Sequence, residues 1–315
     1  MGRLLKDERG NILVFATLAM VSMIGFAALS IDVGTMLAAR NQLQAAADAG
    51  ALSGAMGLQT SQTLATNQAI STVSRNTCMR QPVVITGADV TFPVANRIQV
   101  QTHRTVTLNF AGVLGIPSTN VSAVAIAEIG TISSTGGLKP WAVPNLYNPG
   151  DTNVLIKSGQ IGAPSTNSGY FYPVDFPPMN RDTPETGASE YLDNILYGSD
   201  SHIGVGDILQ VEPGNMIGPT NQGVDDIIAQ DPTAYCDGTD VISPLNDSPR
   251  VVILPMYDPN LPPDSGRNYV TVVRLGVFFL EGFQGQDLIG TFIMDWGQGS
   301  LGGGTSMLKG VKLVQ

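Results

Sequence analysis

Ile12-Leu13-Val14-Phe15-Ala16-Thr17-Leu18-Ala19-Met20-Val21-Ser22-Met23-Ile24-Gly25-Phe26-Ala27-Ala28-Leu29-Ser30-Ile31 runs for twenty residues without a charge. Ten of these are Ile, Leu, Val or Phe, six are Ala or Met, and only Thr17, Ser22, Gly25 and Ser30 dilute them. As a helix rising about 1.5 Å per residue, the stretch reaches about 30 Å, the thickness of a bilayer's hydrocarbon core. The strong apolar residues favour insertion by about 3 to 6 kcal/mol, with no charge opposing them. The expectation is a membrane span from Ile12 to Ile31. Arg3, Lys6 and Arg9 precede it and only Arg40 follows closely. The positive-inside rule then places the N-terminus in the cytoplasm and everything after Asp32 outside it. A cleaved secretory signal competes, because Ala28-Leu29-Ser30 offers a peptidase small residues, although the apolar run exceeds the usual length of about 7 to 15 residues.

Beyond the span the chain reads Ile31-Asp32-Val33-Gly34 and then Ala38-Ala39-Arg40-Asn41-Gln42-Leu43-Gln44-Ala45-Ala46-Ala47-Asp48-Ala49-Gly50-Ala51-Leu52-Ser53-Gly54-Ala55. Eight alanines between 38 and 55 carry high helix propensity. The helix is therefore expected to continue to about Met56 or Leu58, about 70 Å in all. Small residues recur every fourth position, as Ala46, Gly50, Gly54 and as Ala47, Ala51, Ala55, which would let another backbone approach closely. Arg40, Gln44 and Asp48 share one face and could link neighbouring helices or turns. With Asp32, Gly50 and Gly54 they are the candidate helix-packing residues, an ordinary solvated stripe being the alternative for each.

Upstream, Met1 to Gly10 is short, basic-biased and ends in Gly just before the apolar run, as in substrates of prepilin peptidase. Cleavage after Gly10 would leave Asn11 as the new N-terminus. Arg9-Gly10, the apolar span, Asp32-Val33-Gly34 and the run Arg40 to Ala55 stand in one order, and in that order the chain resembles the TadG-like, or TadE/TadG-like, proteins of bacterial Flp pilus assembly. The resemblance covers about 50 residues. It implies a bitopic inner-membrane protein that helps build, anchor or decorate a secreted fibre, with other pilus-assembly subunits or envelope components as partners. Pilins and TadE-like pseudopilins similar to this sequence carry Glu five residues after the processing Gly, where this chain has Phe15. The pairing of that carboxylate with a neighbour's N-terminal amine is not available here.

Charge divides the remainder. Residues 32–137 hold five basic and four acidic groups, whereas 138–315 hold eight basic and 20 acidic groups and 17 of the 20 prolines. The break falls in the Ser/Thr/Gly stretch 131–137, read as a linker. The expected organisation is a leader (1–10), an anchor and extended helix (11–58), an extracytoplasmic module (59–130), this linker, and an acidic β-rich domain (138–315). The fold class is α+β. In the module, β-branched runs predict strands at Val83-Val84-Ile85, Ile98 to Val106 and Val121 to Ile129, with a short helix or turn at Leu108 to Leu114. A helix followed by β-β-α-β is similar to pilin-like modules. His103, without a second His nearby, reads as structural.

In the acidic domain, strands are expected at Trp141 to Pro144, Val154 to Lys157, Tyr170 to Asp175, Ile208 to Val211, Arg250 to Pro255, Tyr269 to Leu280 and Leu288 to Asp295. Helices are expected at Ser189 to Leu196 and Gln222 to Ala229. A net charge of −10 repels phosphate backbones, so no nucleic-acid partner is expected. Two His and two Cys are too few for a zinc cage. Gly297-x-Gly299-x-x-Gly302 lacks the following helix and acid of a dinucleotide site and reads as a turn. Walker, HExxH, nucleophile-elbow and EF-hand patterns are missing, as is the Asp-x-Ser-x-Ser of von Willebrand A modules, so no cofactor, metal or catalytic residue is assigned.

The stretch Glu212 to Asp226 resembles a segment of other pilus-assembly proteins. Within it Glu212, Asn215 and Thr220 form a candidate binding loop, with Thr220 expected to cap the next helix; a purely structural loop is the alternative. Asp225, Asp226, Asp231, Asp237 and Asp240 read as solvated acidic surface rather than a calcium loop. Cys78 and Cys236 are a candidate disulfide, worth about 4 to 5 kcal/mol over so long a loop. The leading reading is a non-enzymatic, membrane-anchored assembly component. A membrane-anchored hydrolase with paired carboxylates in 138–315, or a secreted binding protein freed near Ser30, are the alternatives.

Overall fold

The computed structural model describes residues 9–159, 169–264 and 266–314, so residues 1–8 of the expected leader lie outside it. The fold is α+β, with four α-helices among the described residues and strands in mixed sheets. The chain divides into two compact units, Met1–Ile129 with Val311–Gln315, and Gly130–Gly310.

The first unit is built on α1, an unbroken helix from Arg9 to Gly57 that ends where the alanine-rich sequence expects. Its apolar part is long enough to cross a membrane, and the most apolar window has none of its residues buried. From Asp32 onward the helix acquires an inner face: Asp32, Ala39, Leu43, Ala46, Ala47, Gly50, Ala51, Gly54 and Ala55 are buried. Steps of three, four and seven residues put them on one stripe. Against that stripe lies α2, Gln62–Ser74, whose first turn is capped by Ser61 Oγ accepting from Leu64 N at 3.1 Å. Its buried residues are Ala65, Ala69 and Val73, a narrow stripe amid Ser, Thr, Asn and Gln.

The other wall of this unit is a sheet. Strand Arg97–Thr107 pairs antiparallel with Ser118–Thr135, Arg97 opposite Glu128 and Thr107 opposite Ser118. Ile98, Val100, Thr102 and Val106 point inward from the first strand, and Val121, Ala123, Ala125 and Ala127 from the second, the period-two pattern of a sheet with one buried face. One expectation needs correcting. Val83–Ile85 is not a strand: the ladder is Thr77–Cys78 with Gln81–Pro82, and Val83 and Ile85 are buried from an irregular segment. Apolar residues report burial, which does not require a ladder. The short helix or turn expected between the long strands is a 3₁₀ turn, Ala111–Leu114, closed by Gly115 at φ 86°.

The second unit is organised on one mixed sheet with strands in the order 154–157, 287–293, 269–284, 251–257, 141–144 and 172–173. The strands Trp141–Pro144 and Val154–Lys157 have the expected bounds. Trp141–Pro144 runs parallel to Val251–Tyr257, which pairs antiparallel with Tyr269–Gln284. Trp141, Tyr172, Phe278, Phe279 and Phe292 are fully buried in the core. Helices α3, Ala188–Tyr197, and α4, Ile217–Gln230, pack on each other, and α4 also on Tyr269–Gln284. Buried Arg250 donates to the carbonyls of Asp231, Ala234 and Leu280 at 3.1, 2.8 and 2.9 Å, tying the end of α4 to the sheet.

α4 begins five residues before the expected Gln222, because Pro219 is tolerated in a first helical turn where its missing N–H has no partner to lose. The stretch 131–137 also differs from its reading as a linker: strand Ser118–Thr135 continues through most of it. Ser134, Ile132 and Thr131 pair with Ser300, Leu301 and Gly302, so part of the glycine-rich turn at 297–302 is strand as well. The hydroxyls of Thr131, Ser133 and Thr135 donate to the carbonyls of Gly302, Ser300 and Gln298 at 3.0, 3.1 and 2.7 Å. Composition typical of a loop is here satisfied by a ladder partner more than 160 residues away in sequence.

Candidate functional site

On α1 the small residues meet this chain's own elements. A Cβ added at Gly54 would lie 2.5 Å from Ile98 Cδ1 and 3.0 Å from the carbonyl oxygen of Ala65; one added at Gly50 would run into Val73. The face expected to admit another protein's helix over Gly50 and Gly54 is filled from within the unit, by α2 and the sheet. Gln44 Nε2 donates to Asp48 Oδ1 at 2.8 Å and to the carbonyl of Val124 at 3.1 Å, so these two join the helix to the strand beside it. Arg40 is exposed.

Asp32 has a different role. Although it is 3% exposed, its carboxylate accepts from the backbone N–H groups of Asn109 (2.8 Å), Phe110 (3.0 Å) and Ala111 (2.7 Å). Charge-assisted bonds of this kind satisfy an otherwise costly buried carboxylate. They also fix the connection between the two long strands to the helix. Successive contacts along α1 keep one register: Gly54 against Ile98, Gly50 against Val100, Leu43 O accepting from Thr102 Oγ1 at 3.0 Å, then Asp32 with Asn109. From Gly54 back to Asp32 the helix covers about 33 Å, and from Ile98 to Asn109 an extended chain covers about 36 Å. The strand therefore runs back along the helix toward the apolar segment and ends level with Asp32.

In the second unit, Glu212 and Asp175 form a pair that sequence reading does not join. They are 5% and 3% exposed, and Asp175 Oδ2 and Glu212 Oε2 have no hydrogen-bond partner among the described residues. Burial first, then the neighbouring Glu212 carboxyl and the charge of Glu190, push the Asp175 carboxyl up to about 9, so it is protonated at neutral pH. Thr220 is not a cap. It lies inside α4, buried, its hydroxyl donating to Met216 O at 2.7 Å and standing 2.8 Å from the hydroxyl of Tyr191. Trp141 Nε1 donates to that same Tyr191 oxygen at 2.9 Å. An indole only donates and a carbonyl only accepts, so the chain has one direction: Trp141 to Tyr191 to Thr220 to Met216. Asn215 Oδ1 accepts from Ile217 N at 3.0 Å, a turn that leads into α4. Of the candidate binding loop, two residues are thus interior and one shapes a turn. Asp231, read as surface, is buried and accepts from Ser243 and Ser248 at 2.6 Å each, whereas Asp225, Asp226, Asp237 and Asp240 are exposed.

The two cysteines of the candidate disulfide are free, each within its own unit. Cys78 is buried in the first unit, its Sγ 3.7 Å from the carbonyl of Ala39 and so sealed against α1; Cys236 is half-buried in the second. Gly10 and Asn11 lie in the first turn of α1 and Ile12 and Ile31 farther along the same helix.

Residues 10–57 match the family model described as "Putative Flp pilus-assembly TadE/G-like". The matched segment is α1 from its second residue to its last. No curated protein and no solved structure matches the chain.

Proposed function

We propose that the chain is a single-pass membrane component of Flp-type pilus assembly or a related secretion apparatus. It acts without catalysis, through helix packing and protein contacts. The observation that carries this reading is the coincidence of the matched segment with a helix of two halves. The most apolar window of the helix is unburied among the described residues, as a lipid-facing helix requires, and the small-residue half is the spine of a folded module. Arg3, Lys6 and Arg9 ahead of the span support a cytoplasmic N-terminus in the inner membrane, with the acidic bulk outside to meet other subunits or the envelope. Leader processing after Gly10 belongs to the same reading.

A hydrolase would need its carboxylates within reach of substrate. The buried acid pair of the second unit, Asp175 and Glu212, is almost wholly enclosed and gives a substrate no approach. A strain lacking the protein is expected to lose assembled pili, and full-length protein is expected to resist carbonate washing and restore them. Restoration by a chain from which residues 12–31 have been deleted would overturn the anchored reading.

A further inference from the structure

The connection Leu108–Pro117 contains no charged residue, and neither does any position from Thr105 to Ala127. It exposes three large apolar side chains close together: Val113 at 85%, Ile116 at 55% and Phe110 at 40%. A cluster of this kind marks a contact surface, and its location says what it contacts. The backbone of Asn109, Phe110 and Ala111 is bonded to Asp32, the residue that comes directly after the apolar span, and the register along α1 brings the whole strand end to that level. At the same level α1 itself exposes Ile31, Val33 and Leu37. The polar layer on each side of the hydrocarbon core is only about 5 to 8 Å deep. A loop hydrogen-bonded to the residue at the core's edge therefore has its side chains within or beside that layer.

We infer that Phe110, Val113 and Ile116 insert into the interfacial zone of the bilayer that α1 crosses, so that the first unit is held to lipid at two points. Attachment by the helix alone leaves helix and module free to tilt together in the bilayer; a second contact fixes that tilt to the membrane plane. Apolar side chains on an uncharged loop suit the boundary between headgroups and acyl chains, where neither charge nor full burial is needed.

This inference rests on the reading of Ile12–Ile31 as a membrane span, and the test separates the two. Full-length Val113→Trp, Ile116→Trp, Val94→Trp and Met23→Trp proteins are reconstituted into phosphatidylcholine–phosphatidylglycerol vesicles, and the fluorescence of the unsubstituted protein is subtracted. Val94 is half exposed and adjoins the far end of the same strand, beyond Ile98. Lipids brominated near the headgroup are expected to quench Val113→Trp and Ile116→Trp several-fold more than Val94→Trp. Lipids brominated deep in the chains are expected to quench Met23→Trp. Equal quenching at positions 113, 116 and 94 overturns the inference and leaves the span intact. A blue-shifted but unquenched signal at 113 and 116 also overturns it, because the loop would then be covered by protein. Loss of quenching at Met23→Trp overturns the span and the inference together.

Discussion

At Gly54 even a methyl group would meet the carbonyl oxygen of Ala65 at 3.0 Å, a backbone atom that cannot swing aside. Gly54→Leu is therefore expected to destabilise the first unit by about 1 to 3 kcal/mol, the usual range for overpacking. Gly34, with nothing within 4 Å, is expected to accept Ala with a gain of up to about 1 kcal/mol from helix propensity. Urea unfolding of the detergent-solubilised chain, followed by circular dichroism, compares the two; equal effects would mean the close packing at Gly54 is not formed. Asp175 makes a prediction in pH. Its carboxyl titrates at about 9 when folded and at about 4 when unfolded. Between those values the folded state holds a proton that the unfolded state has released, so stability falls as pH rises through this window, by at most about 1.4 kcal/mol per pH unit. Asp175→Asn is expected to flatten that slope in thermal melts between pH 5 and 9, and an unchanged slope would show that the proton is not held there. The pair was not legible in the sequence, because Asp175 and Glu212 belong to separate segments and only the fold excludes water from both.

Among the elements, α1 was legible almost to its last residue, since an uncharged apolar run followed by alanine-rich sequence admits no other regular structure. α2 was not. Its inner stripe is two alanines and a valine, too little apolar surface to register as amphipathic until α1 lies against it. Ser61 was its one local signal, and Ser61→Ala is expected to cost about 1 kcal/mol. The strand at Val83–Ile85 failed for the opposite reason: Val83 and Ile85 are inward and Val84 is exposed, the alternation of a strand, but their neighbours offer no ladder. The link from α1 to the strand connection supplies a test of its own. Asp32→Ala leaves the N–H groups of Asn109, Phe110 and Ala111 without their acceptor, and bonds to a charged group contribute about 1.5 to 3 kcal/mol. Amide exchange at these three positions is expected to accelerate about tenfold or more by mass spectrometry or NMR, while exchange in α4 stays the same. Unaltered exchange at 109–111 would show that Asp32 does not hold the connection.

For the whole molecule, the most apolar window of α1 is unburied, so the folded units do not depend on it for packing. A chain begun at Asp32 is expected to appear in the soluble fraction and to keep the thermal transition of the full-length protein, as read by circular dichroism; aggregation with loss of that transition would mean the span is part of the fold. The sequence by itself determined the long apolar helix, its alanine-rich extension and the β-rich character of the C-terminal region, because each depends on composition and periodicity within a short window. Tertiary structure alone decided that Gly50 and Gly54 face α2 and the sheet, that Asp32 secures a connection 77 residues away, and that Cys78 is sealed against Ala39. The physical reason is the same in each case. A small side chain, a carboxylate or a thiol has no fixed role until the backbone brings a partner to it, and that partner is supplied by packing between segments far apart in the chain.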